Sequence, residues 1–105
     1  MSTKKKILGV AELEKKYGAL TLGRFLVSWR LSEGLSQKKF AKILGMSPAN
    51  LCDVEKGRKG LSIYSASEIA KTIGFSPTVL VQLALQDLVV SSGLNYTVEV
   101  KNRAA

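Results

Sequence analysis

Apolar residues recur at helical spacing along most of the chain. Leu22, Phe25, Leu26 and Trp29 form one stripe, and Thr21 is placed to cap it, which predicts a helix over 22–33. Before it, Val10, Leu13 and Tyr17 share one side of a short predicted helix that stops at Gly18. Phe40, Ala41 and Leu44 mark the inner face of a helix opening after Ser36 and ending at Gly45. Ser47 and Pro48 then read as an N-cap followed by a first-turn proline. They open a helix with Leu51 and Val54 inward and its end at Gly57. Ser65-Ala-Ser-Glu68 has the spacing of a capping box for a helix ending at Ile73. A last helix runs from Pro77 to about Ser92. In the tail, Tyr96, Val98 and Val100 alternate with Thr97, Glu99 and Lys101, the pattern of a short strand with one apolar face.

Two of these helices, 37–44 and 47–57, are separated by a turn too short to let them run side by side. They must cross steeply, as in a helix-turn-helix, where the second helix can enter a DNA major groove. The same punctuation returns later: Phe40–Leu51 (FAKILGMSPANL) aligns with Ile69–Leu80 (IAKTIGFSPTVL) at a constant offset of 29 residues. The side chains distinguish the copies. The first exposes Asn50, Asp53, Lys56, Arg58 and Lys59, whereas the second has Val79, Gln82, Leu85, Asp87 and Leu88 at those offsets and no cation. The first is therefore the candidate reading helix.

Leu35–Lys59 also resembles the lambda-repressor/Cro (Xre-type) helix-turn-helix family. Gln37 opens the first helix, Ala41 sits inside it, Gly45 makes the turn, Leu51 is the buried aliphatic, and Glu55 and Gly57 form a Glu-x-Gly exit. The likeness extends from Arg30 to about Leu80. It implies base contacts from Pro48, Ala49, Asn50 and Asp53 behind the Ser47 cap, with Cys52 beside them. It implies phosphate contacts from Gln37 and Lys38, and from Lys56, Arg58 and Lys59 at the exit. It also implies a structural ion pair between Arg30 and Glu55. Pro48 and Ala49 cannot hydrogen-bond a base but can pack on a thymine methyl, and Asn50 suits adenine. This head departs from the glutamine-rich ones common in phage repressors, so much of the affinity is expected from phosphates and part of the specificity from DNA shape.

Charge supports the same half of the molecule. Residues 1–59 carry 13 Lys and Arg against 5 Asp and Glu, while residues 60–105 carry 3 of each. A basic half that contains the motif points to a polyanion, here double-stranded DNA. No apolar run reaches membrane-spanning length, and the apolar stretch after the N-terminal lysines is too short for a signal peptide. One cysteine and no histidine leave no intrachain disulfide and no zinc-binding set, fit a reducing cytoplasm, and imply no cofactor. Nothing resembles a nucleophile–base pair, so an enzyme is not expected.

The reading is an all-α, five- or six-helix lambda-repressor-like DNA-binding domain with a short C-terminal β-strand. Its segments are a tail and short helix (1–20), the helix-turn-helix domain (21–92) and a strand or tail (93–105). The last helix is apolar around most of its circumference, so a protein partner is expected on Val81, Leu85, Val89, Tyr96, Val98 and Val100. That partner is a second copy, giving a homodimeric repressor, or a cognate toxin, giving an autoregulating antitoxin. A coactivator-like adaptor of the same fold that barely reads DNA is the alternative.

Overall fold

The computed structural model describes residues 20–103, and the short helix expected over 10–17 and the N-terminal lysines lie outside them. Five helices occupy the described residues: α1 (Leu22–Ser32), α2 (Gln37–Leu44), α3 (Pro48–Glu55), α4 (Ile63–Ile73) and α5 (Pro77–Ser91). None is long and apolar enough to cross a membrane.

Each helix begins at a hydroxyl that accepts from the backbone three residues on: Thr21 from Arg24, Ser36 from Lys39, Ser47 from Asn50, Ser62 from Ser65 and Ser76 from Val79. One differs from expectation. Helix α4 starts a turn earlier than the Ser65–Glu68 box, on Ser62, whose Oγ also meets the Ser65 Oγ at 3.0 Å. Glu68 is thus inside the helix, paired with Lys71. Ile63 and Tyr64 in that first turn are exposed, so they carry no inward pattern to announce it.

The two halves of the 29-residue duplication fold alike. Gly45 and Gly74 both end their helices at φ 73° and ψ 32°, a left-handed conformation that other residues adopt only at a cost. In each copy the next N–H reaches back to a helical carbonyl, Met46 to Ala41 and Phe75 to Ala70. A serine cap and a first-turn proline follow.

One core joins all five helices. Leu22, Leu26, Phe40, Ala41, Leu51, Val54, Ala66, Ile69, Ala70, Leu80, Leu83 and Ala84 are buried together. Trp29 is half-buried and stacks on Phe40 at 5.3 Å between ring centres, which makes it part of the core. Gly23 lets α1 and α3 approach closely. A Cβ there would collide with the Val54 carbonyl oxygen and lie 2.9 Å from that of Glu55.

The expected C-terminal strand is corrected. Among the described residues there is no strand, and residues 94–103 form no backbone ladder. Their polar groups turn instead to side chains of α5. Val98 N–H donates to Gln86 Oε1 and Val100 N–H to Gln82 Oε1, while Gln86 Nε2 donates to the Tyr96 carbonyl. The alternation in sequence was legible, but two carboxamides, Gln82 and Gln86, have taken the place of a neighbouring strand.

Candidate nucleic-acid interface

Helix α3 is held from behind and open in front. Leu51 and Val54 are buried in the core, and Glu55 beside them is 7% exposed. Glu55 is the one buried charged residue among those described, and three donors meet it. Arg30 Nε donates to Oε2 at 2.8 Å and Arg30 Nη2 to Oε1 at 3.1 Å, a two-pronged fork; Gln37 Nε2 reaches Oε1 at 2.8 Å. Arg30 Nη1 also donates to the Leu35 carbonyl. The expected ion pair therefore forms and is larger than a pair. It ties α1, the α1–α2 connection, the first residue of α2 and the last of α3 into one charge-assisted network.

With that side inward, Pro48, Ala49, Cys52, Asp53 and Lys56 form the outward face, at i, i+4 and i+5 spacing. Pro48, Ala49 and Lys56 are exposed, and Cys52 and Asp53 half-buried. Asn50 lies on the flank, half-buried, with Nδ2 4.0 Å from the Met46 sulfur. The turn after α3 folds back, because the Arg58 and Lys59 N–H groups both donate to the Asp53 carbonyl. This brings two expected phosphate-binding cations onto two expected base readers. Arg58 Nη1 donates to Asp53 Oδ1 at 2.9 Å, and Lys59 Nζ to Asn50 Oδ1 at 2.7 Å.

The ten expected contact residues thus fall into three groups. Ser47, Pro48, Ala49 and Lys56 stand free of side-chain partners among the described residues, apart from the capping bond of Ser47. Asn50, Asp53, Arg58 and Lys59 are paired among themselves. Gln37 commits its amide to Glu55, while Lys38 beside it is exposed and in no ion pair within the described residues. Lys39 and Lys42 are likewise exposed. The cluster offers small apolar groups and polar hydrogen-bonding groups on a helix anchored through Glu55, with Lys56, Arg58 and Lys59 at its end.

Sequence reading missed two positioning residues. Gly23 sets the closeness of α1 to α3; a glycine inside an otherwise apolar helical stripe was the available signal. Asp87, half-buried on α5, accepts from the Leu22 N–H at 3.1 Å and so anchors the start of α1. Burial pushes its carboxyl above the ordinary carboxylate value, and the Leu22 hydrogen bond works the other way.

The family profile for helix-turn-helix domains matches residues 26–80, over half of the chain and the span from α1 into α5. The chain belongs to this lambda-repressor-like helix-turn-helix family, whose members are DNA-binding regulatory domains. Comparison with curated proteins and with solved structures returned no match.

Proposed function

We propose that the protein is a sequence-specific transcriptional repressor that lays α3 in the DNA major groove and acts as a homodimer. The observation that carries this reading is the Glu55 network. It fixes the inner side of α3 to α1 and α2, leaving Pro48, Ala49, Asn50, Asp53 and Lys56 to face or flank a groove. Lys38, Lys39 and Lys42 lie on α2, the helix that crosses the backbone in this geometry.

Exposed Leu88, Val90, Leu94 and Tyr96 (52–68% exposed) favour a protein-binding role as well. Tyr96 belongs to the expected surface and Leu88, Val90 and Leu94 extend it, whereas Val81, Leu85, Val89, Val98 and Val100 are half-buried. An antitoxin that represses its own operon would use that surface for its toxin. The specific test is co-expression with the product of the neighbouring gene, where relief of growth arrest supports the antitoxin role.

The DNA reading is tested on a randomised-site duplex library. Wild-type protein is expected to select one motif, and Asn50→Ala to lose about 1–3 kcal/mol on it and relax one base pair. Selection of no motif by the wild-type protein overturns the repressor reading and leaves the adaptor.

A further inference from the structure

The segment 96–102 is fixed along one edge only. Gln86 and Gln82 lie one helical turn apart, about 6 Å along α5. They hold Val98 and Val100, two residues apart, a spacing of about 6.6 Å in an extended chain. Thr78 Oγ1 meets Asn102 Oδ1 at 3.4 Å in the same progression. The tail therefore runs antiparallel to α5 as an extended chain, with the Val98 and Val100 amides and the Tyr96 carbonyl turned toward the helix. The amides of Thr97, Glu99 and Lys101 face the other way. These three residues are exposed, and their amides make no hydrogen bond within the described residues. An ordered edge with unpaired alternate amides is a template for another strand.

The outward residues identify the occupant by charge. We propose that this edge pairs antiparallel with the same edge of a second copy, in the register that places Glu99 opposite Lys101. That register also puts Lys101 opposite Glu99, Thr97 opposite Arg103 and Val100 opposite Val100 on the twofold axis. All of the outward residues then fall in hydrogen-bonded pairs, as antiparallel geometry requires. Shifting the register by two residues would set Glu99 against Glu99 or Lys101 against Lys101. The chain is thus self-complementary in one register. The proposal rests on the homodimer reading above, and is independent of DNA binding.

Two measurements on the full chain test it, with Cys52 replaced by serine where thiols are used. In this register the Val100 Cα atoms face each other at about 4.5 Å, in a non-hydrogen-bonded pair, which a disulfide can bridge. Val100→Cys is therefore expected to form a covalent dimer under mild oxidation. Val98→Cys, whose counterpart is Asn102, is expected to remain uncrosslinked. In sedimentation, Glu99→Lys and Lys101→Glu should each weaken the dimer roughly tenfold, since two attractive pairs become repulsive. The double exchange should restore it. A dimer that crosslinks at neither position and ignores both charge reversals overturns the tail pairing and leaves the homodimer standing. A wild-type monomer at tens of micromolar overturns both. Selection of a DNA motif by that monomer would show that the repressor reading survives them.

Discussion

Glu55 shows how much rests on one side chain. Its carboxylate is shut away from water and receives three donors, so its removal strands the Arg30 guanidinium, which is itself 14% exposed. Glu55→Ala is expected to cost about 3–5 kcal/mol in urea denaturation. A joint replacement, Arg30→Met with Glu55→Leu, should cost less than Glu55→Ala alone, because no buried charge is left unpaired. Equal or greater loss in the double variant would contradict this account. The Arg30–Glu55 pair was legible in the sequence through its family resemblance. The third member was not: Gln37 has a neutral, rotatable amide, and nothing in its position says whether it turns to a phosphate or to Glu55. The same holds for Asn50 and Asp53, which are half-buried where the sequence pattern predicts exposure, because their pairing with Lys59 and Arg58 depends on the fold of the turn between them.

Among the elements, the placement of α1 decides where α3 stands. Gly23 admits the last carbonyls of α3, and Gly23→Ala is expected to lose roughly 1–3 kcal/mol as the helices separate. An unchanged urea midpoint would remove the close approach as a determinant. At the same helix start, Asp87 accepts from Leu22 while its own burial disfavours charge. A carboxyl with a raised folded-state value stabilises the fold fully below its unfolded value, about 4, and loses that contribution as pH rises through the folded value. Asp87→Asn keeps an acceptor for Leu22 but does not titrate. Its stability relative to wild type should therefore improve between pH 4 and pH 7, and a decline over that range would refute the cause assigned. Helix identity was legible because stripes and caps are local. The start of α4 was not, since its first turn faces water. The tail was misread because an alternating pattern specifies an extended chain without saying what will bind its backbone.

At the scale of the whole molecule, charge is concentrated on the half that carries α2 and α3. Lys38 has no internal partner among the described residues, whereas Arg58 already meets Asp53. Lys38→Ala should weaken binding to all duplexes alike and lower the slope of log affinity against log salt by about one. Arg58→Ala should lower it by less, since part of its charge is balanced before DNA arrives. Titrations at several salt concentrations check both, and an unchanged slope for Lys38→Ala would take it off the interface.

The internal bonds of Arg58 and Lys59 also bear on the search that precedes recognition. A regulator meets far more irrelevant DNA than operator, and every cation that grips phosphate indiscriminately prolongs those encounters. Here, two of the cations beside α3 are engaged with Asp53 and Asn50, the groups proposed to read bases. If base pairs of the right kind draw Asp53 and Asn50 toward the groove, the same movement releases Arg58 and Lys59 to the backbone. Full grip would then follow a correct match, and wrong sites would be left quickly.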